Sequence, residues 1–326
     1  MRPTALIVVM LAIYCQAYAQ VTFVRPNGSG DGSSWSMAMG SLTQALQMAA
    51  PGTQIWVASG KYVATNGSDR NSSFEISSGV QVFGGFEGTE TSIEQRNLES
   101  NITVLSGEIG KPGEADNTYN VVVFSADDKG TIIDGFTISD GNASGEVAEG
   151  NRLRSGGGMY IQGSATGSNP TIKNCTFTKN LGRDGAAVYI NGRGENSCSP
   201  VFADCYFIGN EAGLDGGAIY NDGRMNGKSN PTFINCTFER NVGTYGGAIC
   251  NATETGVCNL TLDKCTFVEN IALLRGGAVF SLNGDQKCYL EMSDCVFNGN
   301  YPDDQNMVFT STTARSKAYQ VERTDP

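Results

Sequence analysis

The stretch 230–251 reads NPTFINCTFERNVGTYGGAICN, and its parts return along the chain. Pro231 opens an extended, β-rich run from Thr232 to Phe238, and the region of Asn241 turns the chain. Gly246-Gly247 permits a close approach of backbones, and Ala248-Ile249-Cys250 begins the next strand. The pattern Cys-x-Phe-x-x-Asn occurs at 175–180, 205–210, 236–241, 265–270 and 295–300, with cysteine intervals of 30, 31, 29 and 30 residues. A second pattern runs in step with it: GGMY at 157–160, AAVY at 186–189, GAIY at 217–220, GAIC at 247–250 and GAVF at 277–280. Two motifs locked to one period, neither helical in spacing, exclude the ankyrin, tetratricopeptide and leucine-rich types. Short strands that return to one register every thirty residues or so must stack in parallel, about 4.8 Å per coil. The sequence therefore predicts an all-β fold, a right-handed parallel β-helix.

Stacking turns each repeated residue into a column. Cys175, Cys205, Cys236, Cys265 and Cys295 form one inward file, and Phe177, Phe207, Phe238, Phe267 and Phe297 form another that fills the narrow lumen. Asn180, Asn210, Asn241, Asn270 and Asn300 make an asparagine ladder at a turn, because Asn tolerates left-handed backbone and its amide bonds to coils above and below. All three files have a structural explanation, and none is assigned a catalytic role.

Upstream the repeat decays but strand character persists in 55–58, 80–86, 103–105, 121–124 and 132–138. Leu42, Ala45, Leu46 and Ala49 give 41–50 the period of an amphipathic helix that ends at Pro51-Gly52. Such an N-terminal capping helix would cover the open edge of the first coil. Residues 1–19 read as a secretory signal peptide: Arg2, an apolar run over 5–14, and Ala17-Tyr18-Ala19 before Gln20. The run is shorter than the roughly 20 residues that span a bilayer. The expected organisation is a single β-helix domain over 20–326. It has irregular coils and the cap in 20–150, regular repeats in 151–300 and a C-terminal end in 301–326, where Val308-Phe309-Thr310 could add one last strand.

GGAI-type and FxxN-type tetrapeptides in alternation resemble polymorphic outer-membrane-protein repeats, of the pectin-lyase-like right-handed β-helix superfamily. The stretches 40–62, 79–97 and 117–142 are similar to bacterial secreted β-helix proteins. The resemblance covers nearly all of the chain after residue 19 and implies export and surface attachment, adhesion or handling of polysaccharide. Outer-membrane relatives carry a C-terminal β-barrel, and the residues after Asn300 leave no room for one.

The formal net charge of −11 repels nucleic acid and anionic lipid, so a partner is expected to be neutral, cationic or bridged by calcium. Forty-two glycines and sparse Lys and Glu belong to turn-rich β-structure. Cys198, Cys258 and Cys288 each lie seven residues before a file cysteine and make a second column. Cys258 and Cys288 fall on successive coils and could pair, with overall connectivity left open. The Asn-x-Ser/Thr sites, such as Asn235 and Asn259, read as turn and ladder residues.

The chain has no histidine, which removes Ser-His-Asp and Cys-His chemistry and imidazole zinc sites, and the resemblance implies that it speaks against the polygalacturonase-type hydrolases of the superfamily, whose motifs include a histidine. A β-helix lyase would need carboxylates to hold calcium and an Arg or Lys to take a proton. Its candidates are Asp184 and Asp215, at one repeat position on adjacent coils, with Arg183 beside them; the column continues through Tyr245 and Arg275. The bland reading of these residues is a solvated outer face. The expectation is an exported, secreted or cell-surface solenoid, non-enzymatic, that binds glycan or matrix, with no cofactor. The alternative is a calcium-dependent polysaccharide lyase, and behind it a glycoside hydrolase.

Overall fold

The structure, a computed structural model, describes residues 20–124, 130–283, 288–303 and 305–309. The proposed signal peptide, 1–19, and the chain from 310 onward lie outside them. Parallel strands stack into one nine-stranded and two eight-stranded sheets, with a shorter five-stranded sheet along one corner. This is the expected parallel β-helix, and the right hand follows the general handedness of parallel crossovers.

One coil runs through Thr232–Ile234, Thr237–Glu239, Val242–Tyr245 and Ile249–Thr253, one strand for each sheet. The run from Thr232 to Phe238 is therefore not one strand, as its composition suggested. Asn235 adopts φ 51°, which turns the chain from the first long sheet into the second. Asn174, Asp204, Lys264 and Asp294 do the same on other coils, at φ between 49° and 55°. Asn and Asp accept this left-handed corner most readily, which is why they fill four of the five positions. At another corner Gly246 has φ 68°, and a Cβ there would lie 2.2 Å from the Ile249 carbonyl oxygen. Glycine is required by both conformation and space.

The columns form as the repeat predicts. Phe177, Phe207, Phe238, Phe267 and Phe297 stack with centroids 4.7 to 4.9 Å apart and planes within 7° of parallel. Phe202 and Phe233 make a second stack edge-on to the first. The file cysteines point inward, and each thiol donates to the carbonyl two residues earlier, as Cys205 does to Ala203 at 3.3 Å. A small, apolar side chain with a weak donor suits a corner whose carbonyl faces the core. Along the asparagine ladder, each Nδ2 donates to the next Oδ1 at 2.9 or 3.0 Å. The same amides also donate to Ile138, Phe177, Phe207 and Phe238 carbonyls.

The helix spans Leu42–Met48, capped by the Ser41 hydroxyl, which accepts from the Gln44 backbone N–H. It buries Leu42, Ala45 and Leu46 against the first coils, including the edge strands Val21–Val24 and Phe74–Ile76. One hydrophobic cluster then runs from Val24 to Phe297. At the far end the last strand is Gln305–Phe309, paired with Val279–Asn283. Among the described residues no helix is long and apolar enough to cross a membrane.

Candidate functional site

In the third long sheet, Met159–Gln162, Val188–Asn191, Ile219–Asp222, Ile249–Thr253 and Val279–Asn283 lie in register. Strand alternation sends Met159 and Ile161 into the lumen and Tyr160 and Gln162 outward. The outward column reads Tyr160, Tyr189, Tyr220, Cys250, Phe280, and the tyrosine rings stack 5.6 and 5.3 Å apart, within 3° of parallel. These outward groups are nonetheless buried and form their own apolar cluster with Tyr245.

The segment 144–154 folds over the Tyr160 and Tyr189 end of this column as a strap, while Arg224 lies over Tyr220 and Tyr245 packs on Phe280. The Tyr160 hydroxyl donates to the Gly150 carbonyl at 2.7 Å. Arg154 grips the Asp184 carboxylate, with nitrogens at 2.9 and 3.0 Å. Glu149 meets Arg224 at 2.6 Å and Arg193 at 3.5 Å. Three polar anchors, at Glu149, Gly150 and Arg154, hold an irregular loop against a greasy column.

Beneath the strap lies a charged knot that sequence reasoning missed. Asp222 is wholly buried and accepts the Tyr189 hydroxyl at 2.5 Å and two Arg224 guanidinium nitrogens at 2.8 and 2.9 Å. Burial alone would raise the Asp222 carboxyl, but the Arg224 hydrogen bonds and charge outweigh it and hold the group low. Burial works against the Arg224 charge as well, and its bonds to Asp222 overcome that and keep the guanidinium firmly protonated. A bidentate, buried pair of this kind resists screening by salt.

Asp184 and Asp215 sit on adjacent coils, as predicted: the Gly185 amide donates to the Asp215 carbonyl, and the Gly216 amide to Tyr245. Tyr245 and Arg275 continue the column in register. The basic group that meets Asp184 is Arg154, which the Ser155–Asp184 bridge places alongside, whereas Arg183, the sequence candidate, lies at a bend just before Asp184. Calcium held by Asp184 and Asp215 would have to displace Arg154. Among the described residues, no three His, Cys, Asp or Glu side chains gather into a metal cluster.

Burial raises both carboxyls, and it exceeds the lowering from Arg154 at Asp184. Asp215 is pushed up to about 6, first by burial and then by the charge of Asp184. A raised carboxyl is stabilising when protonated, so its contribution is lost as pH rises from about 4 through 6. Asp215→Asn is therefore expected to stabilise the fold at pH 7.5 by about 1–2 kcal/mol, after discounting for the solvent that still reaches it, and by nothing at pH 4. Urea midpoints of wild type and variant at the two pH values measure this. Equal gains at both would mean that the raised Asp215 carboxyl is not what the substitution relieves.

Beside the strap, a groove of about 500 Å³ is lined by Asn71, Asn151, Arg152, Tyr160, Gln162 and Asn191. Asn191 donates to both the Tyr160 hydroxyl and Gln162, so one wall is pre-ordered. A hollow of about 890 Å³ beside the capping helix is lined by Asn27, Gln44, Lys61 and Asn66 among others.

Among solved structures, Escherichia coli YbhC is similar over 99% of this chain and 83% of its own, at 12% identity and a TM-score of 0.45. The pectin methylesterase from Aspergillus niger is similar over 92% of this chain and 93% of its own, at 12% identity and a TM-score of 0.39. No curated protein matches the chain. The family model described as "Protein of unknown function (DUF1565)" matches residues 24–258, and the chain belongs to that family.

Proposed function

We propose that this protein is an exported, non-enzymatic β-helix that binds an extracellular glycan in the groove beside the strap. The observation that carries the reading is where the charges go. Asp184 is tied to Arg154, Asp222 to Arg224 and Tyr189, and Glu149 to Arg224 and Arg193. These groups hold the strap down and do not converge on an open cleft. What the groove presents is the amides of Asn71, Asn151 and Gln162 and the guanidinium of Arg152, chemistry suited to sugar hydroxyls. The alternation of GGAI-type and FxxN-type repeats supports export and surface display, and the acidic surface favours a neutral glycan.

A polysaccharide screen on the chain from Gln20, with and without calcium, tests it. Binding to a glycan surface that falls at least tenfold in Arg152→Ala or Gln162→Ala, without new unsaturated or reducing ends, is the expected result. One observation favours the enzymatic reading: the Asp215 carboxyl is pushed up to about 6 by burial and is partly open to solvent, as a general acid or base requires. Product formation that disappears in Asp215→Asn would make the protein a lyase or hydrolase and overturn the binding proposal.

A further inference from the structure

We propose that Cys258 and Cys288 are an oxidisable pair that closes into a disulfide between neighbouring coils when the protein folds in an oxidising compartment. They are register partners on the strands Cys258–Asp263 and Cys288–Ser293. Directly opposed residues on parallel strands stand about 4.8 Å apart, inside the Cα separation of about 4.4–6.8 Å that a disulfide spans.

The column also isolates them. From coil to coil it reads Ser168, Cys198, Ser229, Cys258, Cys288, so Ser229 separates Cys198 from the pair. Cys250 faces outward among Tyr220 and Phe280 and has no cysteine above or below it. The inner members of the cysteine file offer no comparable choice, since each has two equivalent cysteine neighbours, one on the coil above and one on the coil below. Amides face the pair instead: Asn221 Nδ2 donates to Cys258 Sγ at 3.3 Å and Asn251 Nδ2 to Cys288 Sγ at 2.9 Å. Disulfide sulfurs can accept those bonds as thiols do. The Ala252 carbonyl, which would lose the Cys258 thiol, keeps the Gly223 amide.

With glutathione disulfide as oxidant the step balances. The two thiols give up two protons and two electrons, the Sγ–Sγ bond forms, and the S–S bond of the oxidant breaks into two glutathione thiols. Both residues are buried in the finished coil, so exchange belongs to folding, before the last coils close.

The test refolds the full chain in a glutathione redox buffer, alkylates it in denaturant and maps non-reduced peptides by mass spectrometry. The expected result is one cross-linked pair, Cys258 to Cys288, with the file cysteines alkylated and a denaturation midpoint that falls on reduction. Cys258→Ser and Cys288→Ser should each lose the link and keep the β-rich circular dichroism. Full alkylation of both residues, or linkage within the file such as Cys265 to Cys295, would overturn the proposal.

Discussion

Asn241→Ala is expected to destabilise the solenoid by about 3–5 kcal/mol, far more than an ordinary polar substitution. Asn241 is completely buried. Its Nδ2 donates to the Phe207 carbonyl at 2.8 Å and to Asn270 Oδ1 at 2.9 Å. Its Oδ1 accepts from the Asn210 backbone N–H at 3.1 Å and from Asn210 Nδ2 at 2.9 Å. Removal strands a backbone N–H and a backbone carbonyl inside the protein, each costing roughly 1–3 kcal/mol when no water replaces the partner. Position along the ladder provides the control. Asn300 holds the last rung and is only partly buried, so water can substitute there and Asn300→Ala should cost about 1 kcal/mol. Asn241→Asp keeps the acceptor but faces Phe207 O and Asn270 Oδ1 with a second acceptor, and should be at least as damaging as alanine. Equilibrium denaturation followed by far-ultraviolet circular dichroism measures all three. Equal, small losses at Asn241 and Asn300 would mean that the ladder is filler and the phenylalanine stack alone sets the register.

The ladder was legible because its cause is local and repeated. Each Asn recurs at the same offset from a Cys and a Phe, and stacking makes any recurring residue its own neighbour. The same logic placed Asp184 next to Asp215 and carried the column on to Tyr245 and Arg275. Legibility ended where a partner comes from outside the repeat. Arg154, Glu149 and Gly150 belong to an irregular segment, and their bonds to Asp184, Arg224 and Tyr160 obey no period. One signal was present in the sequence. Alternation from the inward Met159, Val188 and Ile219 puts Tyr160, Tyr189 and Tyr220 on the outside, and a column of large rings on an outer face calls for a cover. The corner at Asn235 escaped for a different reason: Thr-Phe-Ile-Asn-Cys-Thr-Phe has strand composition throughout, and only the left-handed tolerance of Asn marks the bend.

Asp222→Ala should have the second large effect, and its mechanism can be separated from simple loss of packing. The variant leaves Arg224, only 8% exposed, with Glu149 as its remaining carboxylate, and leaves the Tyr189 hydroxyl without its acceptor. Breaking one side of a buried pair typically costs about 3–5 kcal/mol, because the surviving charge stays desolvated. Replacing both partners by apolar groups removes that penalty, so Asp222→Leu combined with Arg224→Met should recover most of the loss. The pH dependence is opposite in sign to that of Asp215. Asp222 is held low in the fold, so its contribution is complete above pH 4 or so and fades as pH falls through its depressed titration. In Asp222→Ala that acid-side decline should flatten. The strap reports the same event locally. Arg152 and Arg154 are trypsin sites on the segment that Glu149 ties to Arg224. Wild type should resist cleavage there, and Asp222→Ala should be cut several times faster while the double variant, which also lacks the Glu149 anchor, is cut too despite its regained stability. That divergence, stability restored but strap released, assigns the knot two separable jobs: neutralising a buried charge and fastening the cover of the tyrosine column. A double variant that regained both would leave the Glu149–Arg224 contact no part in holding the strap.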